Sequence, residues 1–365
     1  MILSIIIFII LLQILVFVHE FGHFQAARKS GVAVEEFGFG LPPRIVGFLR
    51  KGVLYSINWL PLGGFVRLKG EQGNQNDDDS FSASAWHTRL LILCSGVMMN
   101  VLFAVIALTI AFMIGYPTSF SERSIYPDKY IHNRALLITE VLPNSPALSA
   151  GLKVGDKITQ LNNQPIRNLQ TAQQVIKDGK QISLRVISSK REQSILMTPT
   201  IIDPLTTPAI GVALEDVGDI RLPFLEAIGR GMIQTFQLGA RIMQALFGMI
   251  HDLWKYQRVS PDIGGPVAIA VFTNKVVDLG FSYLLQFAAV ISLNFAIINF
   301  LPFPALDGGR VLFLVIEKLR GKAVSQVIEQ WAHQVGFVIL IVLALLITLR
   351  DISRFELLDV IKRLL

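Results

Sequence analysis

The chain is short of charge and almost without cysteine. Asp, Glu, Lys and Arg supply only 16% of its 365 residues, while 52% are apolar; an ordinary soluble domain carries about a quarter charged residues. Together with a mean hydropathy of +0.54, this excludes a disordered chain and makes lipid part of the expected solvent. The single cysteine, Cys94, excludes a disulfide framework and any metal site of clustered thiolates. Charge of one sign is also scarce: 33 basic against 27 acidic residues leave a net +6. That excess is small and scattered, so it gives no case for nucleic acid as a partner; in a membrane chain basic residues chiefly set topology. No Lys or Arg precedes Arg28, so the apolar start lacks the basic n-region of a signal peptide and is expected to be a retained helix.

What is present is apolar runs of membrane length. A hydrocarbon core of ~30 Å takes about 20 helical residues. Ile2 to about Ala27, Leu90–Ile114, Phe281–Leu301 and Trp331–Leu349 qualify or nearly do, which predicts a polytopic α-helical membrane protein with about four crossings. The loop after the first span holds Arg28, Lys29, Arg44, Arg50, Lys51, Arg67, Lys69 and Arg89, and the short one before the last span holds Arg310, Lys318, Arg320 and Lys322. The excess of positive charge places both on the cytoplasmic side and the region 117–280 outside. The basic tail, Arg350, Arg354, Lys362 and Arg363, leans the other way. A fifth apolar stretch, Gly231–Ile250, carries Arg230, Gln234, Gln237, Arg241 and Gln244 on one helical face. Such a stripe suits a helix lying in the interface rather than spanning.

His19-Glu20-Phe21-Gly22-His23 is H-E-x-x-H at the end of the first span. On a helix the two imidazoles stand one turn apart on one face and can share a Zn²⁺, with Glu20 beside them to act on water. Bound zinc brings the pKa of water to about 7. Two histidines and a carboxylate at membrane depth need partners or a wet cavity. A catalytic zinc keeps three protein ligands and one open position, so a third ligand is expected from another span. The third span ends in Asn299-Phe300-Leu301-Pro302-Phe303-Pro304-Ala305-Leu306-Asp307-Gly308-Gly309. Its prolines break regular helical bonding, and broken backbone at this depth is tolerated where it lines a protected cavity. Asp307, at the cytoplasmic end of that span, falls at the depth of the histidines and is the candidate third ligand.

These two motifs, H-E-F-G-H and N-F-L-P-F-P-A-L-D-G-G, resemble those of the site-2 protease family of intramembrane zinc metalloproteases (peptidase family M50), most closely its bacterial RseP type. The resemblance implies zinc ligation by His19, His23 and Asp307, general-base catalysis by Glu20, and contact of Asn299 and Asn294 with the substrate backbone. It also implies residence in the bacterial cytoplasmic membrane and transmembrane protein substrates already trimmed on the outer side, of the anti-sigma-factor or signal-peptide-remnant kind.

Between the first two spans, Val53–Trp59 and Phe65–Lys69 read as strands around the turn Pro61-Leu62-Gly63-Gly64, with Phe37–Gly40 as a further strand. In the resembled family this membrane-associated β-hairpin loop adds a strand to an unwound substrate, which makes Gly64 and Phe65 candidate substrate-binding residues. Asp77-Asp78-Asp79 reads as a solvated loop. Residues 135–202 have soluble composition, and the series V-x-P-N-S-P-A-x-x-A-G-L-K-x-G-D-x-I resembles one PDZ domain, a β/α module that binds peptide ends or extended segments. The expected division is 1–116 with the first two spans and the loop, 117–203 PDZ-like, 204–280 interfacial helix and connector, and 281–365 with the last two spans. Two other readings fit parts of the pattern: a non-catalytic scaffold with a structural metal, and an ion transporter, for which inverted repeats are missing.

Overall fold

The computed structural model describes residues 2–71, 77–120, 126–166, 168–188, 191–202, 206–257, 264–322 and 324–354. Lys362 and Arg363, part of the tail's topology signal, lie outside them. The chain divides into two compact units, one of residues 1–109 with 228–365 and one of residues 110–227.

The larger unit begins with α1 (Ile2–Lys29), then β1 (Val34–Arg50), β2 (Val53–Leu68) and α2 (Trp86–Ile114). α1 ends with Arg28 and Lys29 in its last turn, cations that suit the negative end of the helix. The two strands are longer than the sequence suggests, and each folds back on itself. Phe37 pairs with both Val66 and Tyr55, Gly38 with both Phe65 and Ser56, and Phe48 with Tyr55. Four lengths of chain therefore lie side by side in the order 64–68, 34–39, 53–58, 44–50. The expected turn at 61–64 is instead a bend within β2, where Gly63 takes φ of +95°. Phe24 and Ala27 of α1 bury against Val34, Phe37, Val53 and Leu68 of this sheet and Ile92 of α2. Glu36, buried in the sheet, accepts from Ser56 Oγ at 2.7 Å and pairs with Arg67 at 3.2 Å. The acidic loop is more than solvated: Lys69 Nζ lies 2.8 Å from Asp77 and 2.7 Å from Asp79. Those carboxylates hold the ammonium above its ordinary pKa, and Lys69 holds Asp79 below its own.

The smaller unit contains β3 (Tyr116–Phe120), β4 (Ile131–Val141), α3 (Pro146–Ser149), β5 (Lys157–Leu161), β6 (Gln164–Pro165), α4 (Leu169–Lys177), β7 (Ile182–Ser188), β8 (Arg191–Met197), β9 (Thr200–Ile201), β10 (Pro208–Ala209) and β11 (Val212–Ile220). An antiparallel sheet runs β3-β11-β4-β5-β7-β8, with β6 paired to β5. Alternating residues of β7, Ile182, Leu184 and Val186, enter a core with Leu136, Ile138 and Ile158. Ser145 and Asn168 cap the two short helices, accepting from Leu148 N at 3.2 Å and Thr171 N at 2.7 Å.

The chain continues with α5 (Phe224–Tyr256), α6 (Pro266–Leu279), α7 (Phe281–Phe300), α8 (Asp307–Arg320) and α9 (Gln326–Arg354). α5 extends the expected 231–250 helix at both ends. α6 falls where a connector was expected; Gly265 followed by Pro266 at the first helical position is its start signal. α8 occupies what reads in sequence as a short loop. Among the described residues, four helices, Ile6–Lys29, Trp86–Ile114, Phe281–Phe300 and Gln326–Arg354, are long and apolar enough to cross a membrane. α7 stops because Leu301 precedes Pro302 and takes extended angles, φ −61° and ψ 140°. The chain then reverses tightly: a Cβ on Gly308 would lie 2.3 Å from the Leu301 carbonyl oxygen, so only glycine fits.

Candidate metal centre

α1 presents His19 and His23 on one face, with Nε2 atoms 3.3 Å apart. The turn after α7 delivers Asp307 as the first residue of α8, and its Oδ2 lies 2.9 Å from His19 Nε2 and 3.3 Å from His23 Nε2. That turn is strained. Ala305 sits at φ +79°, a region costly for any residue with a Cβ. It is held by its N–H, which donates to His333 Nδ1 of α9 at 2.8 Å.

The donor set fits zinc in size and in kind. Three donors about 2 Å from one tetrahedral zinc lie roughly 3.3 Å from one another, and the observed triangle is 2.9, 3.3 and 3.3 Å. The space beside the donors is kept open by Gly96 of α2, where a Cβ would stand 2.4 Å from His23 Nε2 and 2.9 Å from His19 Nε2. His23 Nδ1 donates to the Ile92 carbonyl at 2.8 Å. A carbonyl only accepts, so the proton sits on Nδ1 and Nε2 keeps its lone pair for a metal. His19, 4% exposed, packs edge-on against Phe295 of α7, with ring centroids 5.2 Å apart. A cavity of about 330 Å³ opens beside the triad, lined among others by Glu20, His23, Phe65, Leu68, Glu71, Asp307 and Arg310.

Residues 7–343 match the model of peptidase family M50. The chain belongs to that family. A zinc metalloprotease RasP from Geobacillus kaustophilus is 28% identical over 436 residues, covering 96% of this chain and 98% of its own length. A putative zinc metalloprotease from Rickettsia conorii is 31% identical, covering 96% and 99%. Among solved structures, the PDZ domain of an SdrC-like protein from Listeria innocua is similar at 23% identity and a TM-score of 0.21, covering 22% of this chain and 92% of that domain. This M50 peptidase is an intramembrane zinc metalloendopeptidase with zinc as its cofactor, and a bacterial membrane protein.

The other expected site residues lie at different removes from the peptidase's triad. Gly64 faces α1, where a Cβ would stand 3.4 Å from Glu20 Cγ; Phe65 lines the cavity itself. Asn299 lies one turn beyond Phe295 on the same face of α7, the face that meets His19. Asn294 donates to its own helix, to the Val290 carbonyl at 2.9 Å. That hydrogen bond is local to α7 and does not join it to the triad.

Four residues around the site, Gly96, Asn100, Glu71 and Arg310, had no expected part in it. Asn100 is fully buried, with Nδ2 3.1 Å from His19 Nδ1. Arg310, three residues beyond Asp307, pairs with Glu71 at the end of the 64–68 strand. Glu71 also accepts from Leu68 N at 3.2 Å. This pair borders both the triad's cavity and a second, larger one of about 550 Å³ that includes Arg89, Glu317 and Glu329. A polar residue inside an apolar span is a functional signal by default, and Asn100 carried it.

Proposed function

We propose that His19, His23 and Asp307 hold the zinc and that Glu20 is the general base for hydrolysis of a peptide bond within a transmembrane segment of another protein. The observation that carries this is the position of Asp307 Oδ2, within 3.3 Å of both imidazole Nε2 atoms although it comes from a separate helix. Zinc bound there supplies a Lewis acid for the scissile carbonyl and lowers the pKa of water. Glu20, in the wall of the same cavity, takes the proton from water and passes it to the leaving amine.

A helical substrate hides its carbonyls in intrahelical bonds and has to unwind. Strand 64–68 lines the cavity, and among the described residues its outer edge pairs with no other strand. An extended peptide would add there, past Gly64 and Phe65, with Asn299 toward its backbone. Asn294 joins the substrate site only if its bond to Val290 is given up.

The same reading takes α1, α2, α7 and α9 as four crossings and places the triad toward the cytoplasmic side of the bacterial inner membrane, with the 117–203 region as an extracytoplasmic PDZ-like domain that engages peptide ends or extended segments. Segments 1–116 and 281–365 would then serve as the first membrane pair with its loop and the closing membrane pair, and 204–280 as the interfacial connector from α5 onward, since its β11 pairs with β3 and β4 in the smaller unit. The far end of the β-sheet supports a lipid-facing role: Ile45, Phe48, Leu49 and Trp59 are 60, 59, 74 and 68% exposed. The substrates are membrane proteins pre-trimmed outside, of the anti-sigma-factor or signal-peptide-remnant class.

The test is Glu20→Gln assayed on a model transmembrane substrate. Zinc should stay bound while cleavage falls by about 10²–10⁴-fold, the usual weight of a general base. Cleavage at the native rate would reject the assignment.

A further inference from the structure

We infer that Asn100 is a positioning residue for the metal: its side-chain carbonyl oxygen accepts a hydrogen bond from His19 Nδ1–H and so fixes the tautomer in which Nε2 can bind zinc. The inference rests on the reading that His19 is a zinc ligand.

Asn100 is fully buried in α2. Its backbone is pinned, since the Asn100 carbonyl oxygen accepts from Ser292 Oγ of α7 at 2.9 Å. The side-chain amide meets His19 Nδ1 through Nδ2 at 3.1 Å, and Oδ1 is buried with no hydrogen-bond partner among the described residues. In that arrangement His19 Nδ1 accepts, so the ring proton sits on Nε2 and points at Asp307, 2.9 Å away. That tautomer cannot bind zinc through Nε2, because a ring nitrogen carrying a proton has no lone pair to offer.

The other tautomer moves the proton to Nδ1 and needs an acceptor there. The orphaned Oδ1 is that acceptor: a half-turn about the Cβ–Cγ bond of Asn100 exchanges Oδ1 and Nδ2 at nearly the same two positions. His23 already has the equivalent partner in the Ile92 carbonyl, at 2.8 Å. Each ligating imidazole then has one acceptor behind it, a backbone carbonyl for His23 and a side-chain amide for His19, the general pattern of metal-bound histidine.

The experiment measures zinc affinity of the full-length protein in detergent by competition with a chelator, for the native chain, Asn100→Leu, Asn100→Asp and His19→Ala. The absorption spectrum of each cobalt-loaded form is recorded alongside. Asp presents only acceptors and Leu none. Asn100→Leu should weaken zinc binding about 10–100-fold, the usual effect of losing such a partner, and alter the cobalt bands. Asn100→Asp should bind zinc within about tenfold of the native chain and restore the spectrum. Equal loss in the Asp and Leu variants would overturn the inference, because the amide N–H would then be the group that matters. Native affinity in both would overturn it as well. If Asn100→Leu also unfolds at lower temperature, the Asp variant still decides. Zinc retained by His19→Ala would instead sink the underlying ligand assignment, whereas zinc lost there but kept in Asn100→Leu would sink only the role of Asn100.

Discussion

Replacing Gly96 with alanine puts a methyl group hard against both imidazoles. The added carbon would lie 2.4 Å from His23 Nε2, 2.8 Å from His19 Cε1 and 2.9 Å from His19 Nε2. Optimal non-bonded separations are about 3.5–4.0 Å, so one or both rings have to retreat by roughly 1 Å. They have little room for this: His23 is tied to the Ile92 carbonyl, and His19 is wedged between Asn100 and Phe295. A displacement of about 1 Å at a catalytic group costs on the order of 10²-fold in rate. Gly239→Ala in α5 is the control, since nothing lies within 4 Å of a Cβ there; it should raise stability by about 0.5–1 kcal/mol through helix propensity. The assay is zinc per chain by mass spectrometry, cleavage of a model transmembrane substrate, and the unfolding midpoint, all on both variants. Gly96→Ala should fall about 10²-fold in cleavage and lose most of its zinc, and Gly239→Ala should lose neither. Full zinc occupancy and native cleavage in Gly96→Ala would mean that the imidazoles do not converge beside that glycine.

Two further expectations concern stability. Asp351, 1% exposed, accepts from Gly265 N at 2.8 Å and Ala268 N at 2.9 Å at the start of α6. Asp351→Ala strands two buried N–H groups and should cost about 2–5 kcal/mol, while Asp351→Asn keeps an acceptor and should cost far less; thermal unfolding in detergent separates them. In the smaller unit, Arg134 is bidentate to the buried Asp216, with Nε–Oδ1 at 2.9 Å and an N–H of the other arm to Oδ2 at 2.8 Å. Arg134→Leu leaves that carboxylate unpaired and should cost about 3–5 kcal/mol in the unfolding of that unit, followed by denaturant titration. A loss below ~1 kcal/mol would show that water already solvates Asp216.

The grouping of His19, His23 and Asp307 was legible because such side chains are expensive in lipid. His19, Glu20 and His23 at the end of an apolar run, and Asp307 after Pro302 and Pro304, announce themselves through residue type and spacing alone. The four long apolar helices were legible for the same reason. Short strands of the smaller unit could be read from alternation, as in Ile182, Leu184 and Val186 of β7. The folded-back sheet was harder to read. Leu41–Arg50 has few alternation cues, and its pairing with 53–58 depends on contacts between distant residues. α8 was hidden because Asp307-Gly308-Gly309 reads as a turn, while its amphipathic remainder, with Arg310, Glu317, Lys318 and Arg320, looks like a charged loop. Gly96 carried no signal of its own, and Asn100, a polar residue in an apolar span, carried one that named no partner. A glycine and an amide in a span gain meaning only when the imidazoles are seen beside them.

The most direct measurement is zinc K-edge X-ray absorption on the full-length protein in membranes, native against Asp307→Ala. The native spectrum should show one zinc per chain with two imidazole nitrogens and a carboxylate oxygen at about 2.0–2.2 Å. The variant should bind zinc more weakly and lose the carboxylate contribution. An unchanged first shell and unchanged occupancy in Asp307→Ala would contradict the claim that a carboxylate from α8 and two histidines from α1 share one ion.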